Sequence, residues 1–143
     1  MSTAIPDRFV LDSSVALAWL FLDEQNPYAD AIIGGLPGLE MLVPRLWHLE
    51  VANVLLVGER RGRSSQVDTV SWLGFLSGLP ILVDGGTETR AWSDTINIAR
   101  QHGLTVYDAA YLELALRESL PLASLDAKLE TAATAVGVVR YQP

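Results

Sequence analysis

The stretch Arg8-Phe9-Val10-Leu11-Asp12-Ser13-Ser14-Val15-Ala16-Leu17 decides the fold. Phe9, Val10 and Leu11 in unbroken succession, running into a polar turn, read as a short buried strand. Ser13 and Ser14 then offer an N-cap to Val15–Leu22, an uninterrupted apolar run that reads as a mostly buried helix. A strand with no polar face leading straight into a buried helix opens a βαβ unit, because both faces of a parallel sheet are covered.

The same alternation continues along the chain. Met41–Pro44, Pro80–Asp84 and Pro121–Ser124 read as further short strands, and Val138–Tyr141 offers an edge strand. Helices are expected over Tyr28–Ile33, Leu46–Arg61, from Ser64 or Ser65 to Leu76, and over Thr87–His102, Tyr107–Leu120 and Asp126–Val136. Gly34-Gly35, Gly62 and Gly103 supply the stops. There is no repeat, low-complexity tract or linker-like segment, so residues 1–143 read as one α/β domain. The expected architecture is a mainly parallel sheet of four to five strands flanked by helices on both faces.

Composition narrows the function classes. A chain of 143 residues can bury a core without staples, and it has no cysteine, which removes disulfides and thiolate metal sites. Half the residues are apolar and the mean hydropathy is +0.26. Yet the longest apolar run, Val15–Leu22, is far short of the roughly 20 residues that span a bilayer, so no membrane partner is expected. Residues 1–12 show no basic segment followed by an apolar one, which gives no signal-peptide pattern and a cytoplasmic expectation. The net charge of −7 argues on bulk grounds against a nucleic-acid partner. Two divalent ions would offset four of those charges. Nine of the ten basic residues are arginine; Arg60, Arg61 and Arg63 cluster at a helix end, where cations ordinarily complement the dipole.

Against this background four carboxylates stand out: Asp12, Glu50, Asp108 and Asp126. In right-handed βαβ units every strand leaves, and every crossover helix begins, at the carboxyl edge of the sheet. Asp12 ends the first strand, Asp126 follows the fourth, Asp108 sits in the first turn of a helix, and Glu50 lies about one turn into another. One edge therefore receives all four, and ligands of open α/β sheets bind in that crevice. Glu50 stands in Leu46–Val57, where apolar residues cover nearly the whole helical circumference, so that helix is expected to be buried and Glu50 to need a partner. An ion pair with Arg45 or a hydrogen bond to His48 would also satisfy it. Taken singly, each aspartate is equally a helix cap. Asp84 also ends a strand, but Gly85-Gly86 after it reads as a turn. Carboxylates crowded together repel, and a hard divalent ion held by oxygen ligands, Mg²⁺ or Mn²⁺, relieves the repulsion. Such ions activate water and clamp phosphate, the chemistry of metal nucleases.

These residues carry a family resemblance. Val10-Leu11-Asp12-Ser13-Ser14-Val15-Ala16-Leu17, then Glu50, then Tyr107-Asp108-Ala109-Ala110-Tyr111-Leu112, then Ser124-Leu125-Asp126-Ala127-Lys128-Leu129 resemble the PIN domain, and within it the VapC-type toxins. The resemblance covers essentially the whole chain. It implies a PIN-like three-layer sandwich, Mg²⁺- or Mn²⁺-dependent cleavage of RNA, a homodimer, and inhibition by a small antitoxin protein. It also implies Asp12 and Asp108 as principal metal ligands and Glu50 completing the first site directly or through water. Asp126 would assist a second ion or orient the attacking water. Ser13 and Ser124 would serve as substrate contacts or as supports to the ligands; both hydroxyls are equally explained as N-caps.

Other readings fit less well. A receiver domain would place adjacent acids near the first strand, and a haloacid-dehalogenase-like phosphatase would place an aspartate where Ser14 stands. No GxxxxGK[ST] loop occurs, and neither His48 nor His102 has a catalytic partner in sequence. The alternative of a different class is a non-catalytic PIN-like module that binds RNA or protein. Trp19, Trp47, Trp72 and Trp92 either fill the core or meet another chain.

Overall fold

The computed structural model describes residues 5–143; the leader expectation rests partly on residues outside that range. The elements run β1 (Asp7–Leu11), α1 (Ser13–Leu20), α2 (Pro27–Ile33), β2 (Leu39–Pro44), α3 (Leu46–Arg60), α4 (Gln66–Ser77), β3 (Ile81–Asp84), α5 (Thr87–Arg90), α6 (Ile96–His102), α7 (Val106–Glu118), β4 (Leu122–Ala123) and α8 (Ala127–Ala135). The strands form one parallel sheet in the order β3-β2-β1-β4, the central layer of a three-layer sandwich. Register is set by Phe9 against Met41, Met41 against Ile81, and Val10 against Leu122.

The opening stretch behaves as its composition requires. Phe9, Val10 and Leu11 are fully buried in the central strand, and Val15, Ala16 and Ala18 bury the helix that follows. The sheet thins toward its sides. Of the Pro121–Ser124 strand only Leu122 and Ala123 remain, and the expected fifth strand reduces to one bridge between Leu122 and Arg140. At the other side β3 leaves Leu82 and Val83 about half exposed.

Two expectations need correction. The helix expected over Thr87–His102 is interrupted by a π-helical turn, Ala91–Thr95, which joins α5 to α6. The α3 helix is not buried all round: Trp47, Val51 and Leu55 face the core, but Leu49 is 75% exposed and Leu56 42%. A run of apolar residues therefore gives α3 a second apolar face that the fold leaves uncovered. The tryptophans divide between core and surface. Trp47 is buried, Trp19 and Trp72 pack partly against the core, and Trp92 is 95% exposed on the π turn. In the arginine cluster, Arg63 is engaged by Asp23 and Glu24 and stacks over Phe21.

Candidate active site

Asp12 lies one residue beyond β1, and its amide still bonds Ala123 across the sheet. It occupies the N-cap position of α1 without making a side-chain cap, so the bland capping role fails there. Its carboxylate is 4% exposed, and Oδ2 accepts hydrogen bonds from Ser14 Oγ at 2.6 Å and Ser124 Oγ at 2.8 Å. Those hydroxyls are fixed in turn, Ser14 accepting from the Leu125 amide and Ser124 from the Asp126 amide. The exit of β1 and the exit of β4 are thus laced together around one carboxylate. Asp126 does cap α8, accepting from the Leu129 amide at 3.0 Å. Asp108 does not cap α7; Thr105 does, accepting from the Asp108 amide.

Glu50 projects from the first turns of α3, half-buried. Its partner is neither Arg45, which lies near Glu88, nor His48, but the hydroxyl of Tyr111 on α7. Ser13, in the first turn of α1, neighbours the same phenol.

The acids act on one another. Burial raises the proton affinity of Asp12, the two serine bonds oppose the rise, and Asp108 and Asp126 add to it. Burial likewise pushes Glu50 up, opposed by the Tyr111 bond and reinforced by Asp12 and Asp108. Asp108 is raised by burial and then by Asp126, with Thr105 and Lys128 pulling the other way. Burial and the Glu50 carboxylate push the Tyr111 phenol up, so it stays a donor. All four carboxylates therefore share one electrostatic neighbourhood at the carboxyl edge, and Lys128 is the cation that bears on it.

Whether these residues suit a divalent ion is a question of chemistry and of arrangement. Among the described residues no arginine or lysine forms a salt bridge with any of the four, although arginines pair with acids elsewhere. Buried carboxylates without counter-charge are unfavourable, and an oxygen-only donor set suits a hard cation. The chemistry fits. The arrangement is open: among the described residues no three acidic or imidazole side chains form a closed group able to hold an ion as they stand.

Asp84 shows the contrast. Its Oδ2 accepts from the Gly86 amide, so the expected turn is present, but Arg117 also grips it through Nη1 at 3.0 Å and Nη2 at 2.8 Å. Arg117 holds the Asp84 carboxyl below its usual range, opposite in sign to Asp12, Glu50 and Asp108. The sequence reading did not single out Ser14 as a support, Thr105 or Tyr111. Tyr111 carried a signal, since it follows Asp108 by three residues and so lies one turn along the same helix.

The profile of the PIN domain family matches residues 9–135. Among curated proteins no sequence match reaches significance. Three solved structures illustrate the likeness. PAE2754 from Pyrobaculum aerophilum is 25% identical, with a TM-score of 0.64 over 88% of this chain and 79% of that one. VapC20 from Mycobacterium tuberculosis, a sarcin-ricin loop cleaving toxin, is 15% identical, with a TM-score of 0.65 over 94% and 99%. VapBC2 from Rickettsia felis, bound to a DNA fragment from their promoter, is 14% identical, with a TM-score of 0.62 over 94% and 97%. With the profile spanning nearly the whole sheet and all four edge carboxylates, the chain belongs to the PIN domain family.

Proposed function

We propose that this protein is a Mg²⁺- or Mn²⁺-dependent endoribonuclease, the VapC-type toxin of a toxin–antitoxin pair, hydrolysing RNA phosphodiester bonds at the carboxylate-lined edge. The observation that supports this most is electrostatic. Asp12, Glu50 and Asp108 are each driven toward the neutral form, interact with one another, and have no paired arginine. Asp12 and Asp108 would be the principal ligands, Glu50 would complete the first site directly or through water, and Asp126 would assist a second ion or orient the attacking water. When bound, such an ion supplies charge neutralisation at the scissile phosphate and acidifies the attacking water.

The protein's own part is positional. Ser14 and Ser124 both donate to Oδ2 of Asp12, which fixes the carboxylate plane and leaves Oδ1 for a ligand. Thr105 takes the Asp108 amide, so the Asp108 carboxylate is not spent on capping. Ser124 would thus support the ligand set, and Ser13, beside the Tyr111 phenol, would meet substrate.

The partners follow the same reading. A further structural neighbour is a toxin–antitoxin complex from Klebsiella pneumoniae, which supports a small antitoxin here. The uncovered side chains of Leu49 and Leu56 on α3, with Val67 and Val70 on α4, give an antitoxin or a second copy apolar area to bury. No described helix is long and apolar enough to cross a membrane, and a cytoplasmic site of action completes the proposal.

RNA cleavage with Mg²⁺ or Mn²⁺ tests it, comparing the wild type with Asp12→Asn and Asp108→Asn. Cleavage by the wild type that both variants lose by two or more orders of magnitude is expected. Equal cleavage by the variants would end the nuclease proposal, and wild-type binding of RNA without cleavage would favour the non-catalytic module.

A further inference from the structure

We infer that Tyr111 is a positioning residue for the metal centre, its phenol holding the Glu50 carboxylate so that one oxygen is tethered and the other is presented to the aspartates. The inference rests on the metal-nuclease reading above. It stands on one hydrogen bond and on where the phenol sits. The Tyr111 hydroxyl donates to Oε1 of Glu50, bridging α7 and α3 across 61 residues of sequence. The ring is fully buried and among the largest such side chains of the core, so the hydroxyl has little freedom to move. The hydroxyl also lies beside Ser13, at the start of α1, and within the field of Asp12. Tyr111 therefore touches the environments of two proposed ligands that come from different elements.

A buried tyrosine ordinarily seeks a partner for its hydroxyl, and satisfying it is the structural explanation of the bond. Two features go further. The acceptor is a half-exposed glutamate, a side chain with several rotatable bonds that solvent would otherwise leave mobile. And Oε1 takes the phenol while Oε2 has no protein donor among the described hydrogen bonds. Fixing one carboxylate oxygen with a rigid donor orients the other, the general means by which outer residues tune a metal ligand, and losing such a donor typically weakens metal binding about 10–100-fold.

Calorimetric titration of the metal-free full chain with Mn²⁺ tests this. Tyr111→Phe keeps the ring and removes only the donor, and its Kd for Mn²⁺ is expected to rise about 10–100-fold while its far-UV circular dichroism matches the wild type. Glu50→Ala removes both the ligand and the phenol's acceptor, and the double variant should bind no more weakly than Glu50→Ala alone. An unchanged Kd for Tyr111→Phe, or a double variant whose loss equals the product of the single losses, overturns the inference, because Tyr111 would then not act through Glu50. If the wild type takes up no Mn²⁺, the metal reading itself falls and the inference with it. Should Tyr111→Phe not fold, Glu50→Asp withdraws the carboxylate from an intact phenol; the same weakening is expected, and unaltered affinity refutes the tether.

Discussion

Replacing Asp12 by asparagine should stabilise the metal-free protein. Asp12 is 4% exposed, and its charge is opposed by burial and by the charges of Asp108 and Asp126. A pair of carboxylates about 6 Å apart, at an effective dielectric near 20, would cost roughly 3 kcal/mol. The partial exposure of Asp108 and Asp126 reduces that figure. An asparagine oxygen in place of Oδ2 still accepts from Ser14 and Ser124, but each bond weakens by about 1 kcal/mol once the acceptor is neutral. With desolvation relieved as well, the net gain is about 1–2 kcal/mol, or about 3–7 °C in melting temperature for a domain of this size. The assay is thermal unfolding in a chelating buffer at neutral pH, and then with excess Mn²⁺. In chelator Asp12→Asn should melt above the wild type. With Mn²⁺ at about 100 times its Kd the wild type should gain roughly 2.7 kcal/mol and the variant far less, reversing the order. A variant that melts below the wild type in chelator would refute the reasoning, since the Ser14 and Ser124 bonds to Asp12 would then outweigh the cost of its charge.

Other outcomes follow from the same contacts. Lowering the pH in chelator should narrow the gap between the wild type and Asp12→Asn. A carboxyl whose native proton affinity is raised contributes stability that is fully present below its ordinary value of 3.8 and lost as pH climbs through the native value. Melting temperatures of both proteins from neutral pH down toward 4.5 or so check this, and a widening gap counts against it. Asp84, which Arg117 holds below its ordinary 3.8, contributes in the opposite sense, its stability being lost as pH falls. Arg117→Ala should cost about 3–5 kcal/mol in urea unfolding, because it strands Asp84, 13% exposed, and leaves Glu113, 4% exposed, only Arg90 at 4.0 Å; a loss under about 1 kcal/mol would show that water fills the gap. Ser124→Ala removes a donor from Asp12 and the acceptor of the Asp126 amide, and should cost about 1–3 kcal/mol by the same method.

The parts of this structure that sequence revealed are those governed by local chemistry. Phe9-Val10-Leu11 could only be buried on both faces, and the alternation of such runs with helices fixes the edge at which Asp12, Asp108 and Asp126 emerge. What stayed hidden depends on contacts between distant segments. The Arg117 grip on Asp84 spans 33 residues, and nothing near Asp84 signals it. Tyr111, among alanines and leucines, reads as core, which it is; its second role needs Glu50 to arrive from α3. Ser13 and Ser14 look alike as caps, yet only Ser14 donates to Asp12. The full apolar circumference of α3 misled because hydrophobicity reports what must be covered, not whether the same chain covers it. The π turn at Ala91–Thr95 carries no compositional mark at all.

The most direct test of a single metal centre at the carboxyl edge is anomalous scattering from a crystal of the full chain soaked in Mn²⁺. A manganese peak bounded by the carboxylates of Asp12 and Asp108, with Glu50 or Asp126 within reach, is the expected result. Ordered carboxylates with no manganese between them, or manganese seated only elsewhere on this acidic surface, would contradict the account.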